Sequence, residues 1–283
     1  MVQERLYIDL FSEYSLKIFS SAMPPKRRAP KRKGSEEVGS SLESKISRKG
    51  PKLKSRSKPM KSVQTQASSK RGSASLKWFL KVYKGLEDWH IPIFRETKTQ
   101  TGASRILYPG SDKHITASLV FPSVVYVDFN KKVEAIYTDD AVRDWVKQHK
   151  EYPGEADYKF MCENFETKFE KLSSFDLLIS ACAGIISTKC AQYLKQGGHF
   201  LVSDAHFDAR TAFLMKEFQL VGVFDRGTGK LNIDKKELDN HFHTMQGKVI
   251  TQAQVKESIE KHRNKRSFKL KKEAMFYLFS KIQ

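Results

Sequence analysis

Residues 105–130, RILYPGSDKHITASLVFPSVVYVDFN, constrain the fold of this chain more than any other stretch. Ile106, Leu107 and Tyr108 form an apolar run that Pro109-Gly110 stops, as a strand entering a turn does. Ser111 or Asp112 can cap a short helix, and Pro122 closes the crossover before a second apolar run, Val124 to Val127. Asp128 then follows Gly110 by 18 residues. A strand–turn–helix–strand unit that holds a nucleotide places an acidic residue about 20 residues after its first glycine. A carboxylate accepts hydrogen bonds from two adjacent ribose hydroxyls. A glycine lets the backbone approach a ligand closely, because it has no Cβ.

The rest of the chain extends this pattern. Apolar runs at 158–162, 175–180 (FDLLIS), 199–203 (HFLVS), 220–224 (LVGVF) and 274–279 (AMFYLF) predict five further strands. Leu76, Phe79, Leu80, Tyr83 and Leu86 recur at helical spacing before the first strand, and Trp89 extends that apolar material. Val133, Ile136, Val142, Trp145 and Val146 fit one or two amphipathic helices. Residues 184–194 predict a helix braked by Gly197-Gly198, and 207–218 another. A polar helical stretch is expected over about 234–262. Strands alternating with helices imply a mostly parallel sheet covered on both faces, with a terminal antiparallel hairpin.

Charge divides the 283 residues into three parts. Residues 23–71 hold 16 Lys and Arg against 3 Glu, a net +13, and have no aromatic side chain. Such a segment cannot bury enough apolar surface to offset its ordering entropy, so 23–72 is expected to be a disordered basic tail. The run from Lys26 to Lys33 has the composition of a nuclear-import or nucleic-acid-binding segment, which predicts a nuclear protein. The alternative is a solubilising tail. Residues 1–22 mix apolar and charged side chains, and Met23 is an alternative start; neither a membrane span nor a signal peptide fits. Residues 73–283 are the expected folded domain. A second basic run, from Lys261 to Lys272, carries seven Lys or Arg and is a further candidate for phosphate contact. Cys162, Cys182 and Cys190 lack metal-ligand spacing and read as reduced thiols, so no metal is expected.

This order of elements over 76–283 resembles the class I S-adenosylmethionine-dependent methyltransferases, a Rossmann-like α/β family whose seven-stranded sheet ends in a reversed strand. LYPGSDKHI resembles the family's glycine-rich motif, with Gly110 as its first glycine. VVYVDF resembles the second motif, with Asp128 as the ribose acid. CENF falls where the third motif contacts adenine, FDLLISACAG resembles the fourth, and LKQGGHFLVSD the fifth strand. Tyr108-Pro109 stand where the family's motif usually has an acidic residue before the turn, and Asp112 and His114 where small residues are usual after it. The resemblance implies S-adenosylmethionine as cofactor, held by Tyr108, Gly110, Asp128, Glu163, Asn164 and Ser180. Gly110, Asp128, Glu163, Ser180 and Asp204 should converge where the strands end. His114 can reach the same crevice, and His206 beside Asp204 and Asp208 can act as a general base. Two readings stand. One is a methyltransferase, transferring to an acceptor associated with nucleic acid; the other is a non-catalytic nuclear interaction module that has lost the cofactor. A nicotinamide enzyme is disfavoured, since G-x-G-x-x-G is missing.

Overall fold

The computed structural model describes residues 73–84, 90–225, 228–261 and 268–283. The tail, segment 1–22, Leu86, Trp89 and residues 262–267 of the second basic run lie outside them. Eight strands form one sheet: β1 (Arg105–Pro109), β2 (Ser123–Val127), β3 (Asp157–Met161), β4 (Phe175–Ser180), β5 (Leu194–Val202), β6 (Phe218–Phe224), β7 (Leu231–Asn232) and β8 (Phe276–Lys281). Their order is β3-β2-β1-β4-β5-β8-β6-β7. The first five are parallel, while β8 runs antiparallel to both β5 and β6. Apart from the two-residue β7, this is a Rossmann-like α/β fold, with the last long strand reversed and inserted beside the fifth.

Helices cover both faces. Four of them, α1 (Ala74–Tyr83), α2 (His90–Thr101), α3 (Glu134–Thr138) and α4 (Asp140–His149), pack on one face. Phe79, Phe94, Tyr108, Tyr126 and Tyr137 are buried between them and the sheet. Opposite lie α5 (Ser187–Cys190), α6 (Asp208–Leu214), α7 (Lys235–Leu238) and α8 (Gln252–Glu260), over Leu107, Phe200, Phe242 and Tyr277. Adjacent residues such as Leu107 and Tyr108 enter opposite layers because strand side chains alternate. With both faces covered, the central strands need continuous apolar runs, and that is what the sequence supplies.

Three local expectations are corrected. Gly197-Gly198 does not brake a helix; it lies inside β5, which starts at Leu194. Pairing with β4 jumps from Phe175↔Leu194 to Leu177↔His199, so extra residues bulge out there. Gly197 has φ +75°, and a Cβ on Gly198 would come within 2.9 Å of the Lys195 carbonyl oxygen. The predicted helix before it shrinks to α5 and one 3₁₀ turn, Ala191–Tyr193. The polar stretch near 234–262 is two short helices joined by a loop with an isolated bridge between His243 and Val249.

The crossover from β1 to β2 is a buried 3₁₀ turn, Ile115–Leu119, preceded by His114 and not capped by Ser111 or Asp112. Tyrosine hydroxyls fix it. Tyr126 accepts from the Ser118 amide and donates to the Ile115 carbonyl, at 2.9 Å each. Tyr137 donates to the Asp112 carbonyl at 2.7 Å. A segment too short for helical bonding thus satisfies its polar groups through side chains.

Candidate functional site

In this sheet the strand order reverses between β1 and β4, so the crevice for a ligand lies at their carboxyl ends. Gly110 opens the turn after β1, its N–H donating to the Val127 carbonyl at 2.7 Å. Its φ is +62°, and a Cβ there would lie 2.3 Å from the Ala183 Cβ. Here the glycine is required by the loop after β4, which packs on the turn. That loop is itself tightly wound: Cys182 has φ +64° and Gly184 φ +103°.

Asp128 stands at the end of β2 and is 7% exposed. Its Oδ2 accepts from the Asp112 N–H at 2.9 Å and its Oδ1 from the Asn130 N–H at 2.8 Å. The carboxylate ties the first turn to the second, while Asn130 caps the next 3₁₀ turn. Burial raises its pKa above the ordinary carboxylate value, and the two N–H donors oppose that rise. Each oxygen keeps a lone pair for another donor. Phe129, next in the chain, is 64% exposed, an aromatic face that the sequence pattern did not single out. Cys162, Glu163 and Asn164 follow β3 and are exposed. Asn164 Oδ1 accepts from the Glu166 N–H at 3.0 Å.

The other expected residues make internal contacts of their own. Tyr108 is fully buried, and its hydroxyl lies 3.3 Å from His114 Nδ1. His114 stacks edge-on against His90 in the layer of α1–α4, with ring centroids 5.5 Å apart. His206, by contrast, lies in the turn that leads into α6 on the opposite face. His114 thus packs within the α1–α4 layer, while His206 belongs to the turn before α6. Ser180 is also spent internally: its Oγ donates to Asp208 Oδ2 at 2.7 Å, and the Ser187 N–H donates to Asp208 Oδ1 at 2.9 Å. Asp204 accepts from Arg210 Nε at 2.6 Å and from the Arg210 N–H at 3.1 Å. Both carboxylates flanking His206 thus have internal partners. Burial pushes the Asp204 carboxyl up to about 6 against the pull of Arg210.

Arg210 is the residue that sequence reasoning missed. It is 4% exposed, with Phe207 and Phe268 rings 5.0 and 4.9 Å from its guanidinium carbon. Nη1 donates to the Phe268 carbonyl at 3.2 Å, and Glu273 lies 3.8 Å from Nη2. Among the described residues, no group of His, Cys, Asp and Glu is arranged to hold a metal. Nor is any described helix long and apolar enough to cross a membrane.

Burial also pushes His114 down to about 4, with Asp112 opposing and Lys113 reinforcing the shift. The unfolded chain binds that proton below about pH 6.5, whereas the folded one refuses it until about 4. Stability from neutral His114 is therefore full above pH 6.5 and lost as pH falls toward 4. His114→Gln should flatten the fall of Tm across that window; an unchanged pH profile would show that His114 is not the group being titrated. Asp204 acts with the opposite sign between 3.8 and about 6, so variant and parent are compared at each pH.

No protein-family model and no curated protein matches the chain. Solved structures do. A methyltransferase from Geobacter sulfurreducens matches at 7% identity and TM-score 0.36, covering 54% of this chain and 85% of its own. An S-adenosylmethionine-dependent methyltransferase from Methanosarcina mazei matches at 16% and 0.27, covering 62% and 90%. The [4+2]-cyclase SpnF matches at 15% and 0.31, covering 40% and 43%. The chain spans about half the length of several such structures. At these scores the likeness carries nothing about substrate or residues, and the fold rests on the strand order above.

Proposed function

We propose that the chain binds S-adenosylmethionine at the carboxyl ends of β1, β2 and β3 and transfers its methyl group. The observation that carries this reading is Asp128, a buried carboxylate oriented by two backbone N–H groups, with a free lone pair on each oxygen. That pair of acceptors fits two adjacent ribose hydroxyls, and Phe129 offers an exposed ring for adenine. Glu163 and Asn164 sit at the end of the neighbouring strand, within the same rim. When bound, S-adenosylmethionine supplies a sulfonium-activated methyl group. The chain's own part is to orient it, exclude water and receive any proton that the acceptor loses. His206 is the rim base in this reading, and His206→Ala should lower turnover without changing cofactor affinity. His114 has no part in it.

The test is calorimetric titration of the full chain with S-adenosylhomocysteine. Asp128→Asn should abolish the binding heat, and it should lower stability by about 1–3 kcal/mol, because one of the two N–H donors loses its acceptor. Unaltered binding in that variant would remove Asp128 from the site.

A second reading is favoured by Ala183. Its methyl group packs directly on the bare Gly110, in the crevice where a ligand would approach the turn. A fold closed in this way serves as a non-catalytic interaction module. Under either reading we assign the basic tail to nuclear import and nucleic-acid contact, together with the run from Lys261 to Lys272. Deleting residues 1–71 should leave the melting of the domain nearly unchanged. It should also reduce nuclear accumulation in cells; equal distribution with and without the tail would refute the targeting role.

A further inference from the structure

Helix α1 turns Phe79 and Val82 inward and leaves Lys77, Trp78, Lys81 and Lys84 on its exposed side. Trp78 is 37% exposed. Helical rise spreads Lys77 to Lys84 over about 10 Å. Among the described residues, none of these three lysines has an ion-pair partner. Asp139, which touches the start of the helix, is taken by the Ser73 hydroxyl at 2.9 Å and by the Ala141 N–H at 2.9 Å. A fourth cation, Lys113, reaches over the Trp78 ring with Nζ 4.9 Å from its centroid. Lys113 also holds Asp112 Oδ2 at 2.9 Å, and the Asp112 N–H is bound by Asp128. The face is therefore contiguous with the candidate site.

We infer that this face docks single-stranded nucleic acid, with a base stacked beside Trp78 and phosphates on Lys77, Lys81 and Lys84. Lysines arrayed on one helix face repel one another, and a half-exposed indole adds little to the core. Together they supply what a single strand requires: counterions for its phosphates and an aromatic surface for unpaired bases. An acidic protein would use the lysines but has no need of the ring. A duplex hides its base faces. A membrane surface would need the apolar face of α1, which is buried in the domain. The inference extends the proposed function without resting on it, because the strand would bind with or without S-adenosylmethionine.

Fluorescence anisotropy of the full chain with labelled single-stranded RNA and DNA of mixed sequence, titrated without cofactor across salt concentrations, tests it. Trp78→Ala should weaken binding about 5- to 150-fold at unchanged salt slope, and Trp78→Phe should recover most of the loss. Lys77→Gln, Lys81→Gln and Lys84→Gln combined should reduce the logarithmic salt slope by about 2. Lys235→Gln with Lys236→Gln, exposed on the other layer, should change neither measure. The RNA and DNA arms identify which strand is preferred. Unchanged affinity in the Trp78 and lysine variants, each with a parental melting curve, would overturn the inference. So would displacement of the oligonucleotide by polyglutamate or by duplex as effectively as by unlabelled single strand.

Discussion

Asp204→Ala is expected to destabilise the domain by about 3–5 kcal/mol, because it leaves the buried Arg210 guanidinium without its main counter-charge. Among the described residues, Glu273, 3.8 Å away, would remain to face it. In a domain of this size the loss lowers Tm by about 10 °C or more. Arg210→Met should be milder, since a carboxyl already raised to about 6 can take up a proton when its partner is removed. Replacing both, as Asp204→Leu with Arg210→Met, should recover most of the loss, because the Phe207 and Phe268 rings would then enclose an apolar side chain. Thermal melts of the three variants check this ordering. Additive losses in the double variant would show that the two residues do not act as a pair.

The second large effect falls on the first turn. Gly110→Ala adds a methyl group 2.3 Å from the Ala183 Cβ, at a backbone φ of +62°. The left-handed conformation and the overlap together should cost about 3 kcal/mol. The clash must be relieved by moving the loop after β4, so the paired variant Ala183→Gly should restore part of the stability lost in Gly110→Ala. A denaturant melt of Gly110→Ala that matches the parent would mean that this contact does not hold the turn.

Much of this architecture is legible in the sequence, for a physical reason. A parallel strand buried on both faces must carry an unbroken apolar core, and the LLI of β4, the VVYV of β2 and the FLV of β5 are such runs. The Pro109-Gly110 stop and Asp128 are local signals for the same reason, since a turn and a strand end depend on neighbouring residues. The rest depends on partners distant in sequence. Gly197-Gly198 looks like a helix brake because glycine ends helices and also forms bulges; the pairing of β4 with β5 decides between the two. Arg210 carries no local mark of its pairing with Asp204 and Phe268. The sequence places His114 within reach of the crevice, but the alternation of side chains carries Tyr108, and His114 with it, into the α1–α4 layer.

The proposed function turns on whether the crevice that Asp128 frames admits a ligand despite the packing of Ala183 on Gly110. Isothermal titration of the full chain with S-adenosylmethionine and, in parallel, with NAD decides it. A saturable heat is expected with S-adenosylmethionine, none with NAD, and none with either in Asp128→Asn. A folded protein that gives no heat at millimolar S-adenosylmethionine would contradict the cofactor site and leave the interaction module as the reading of this fold.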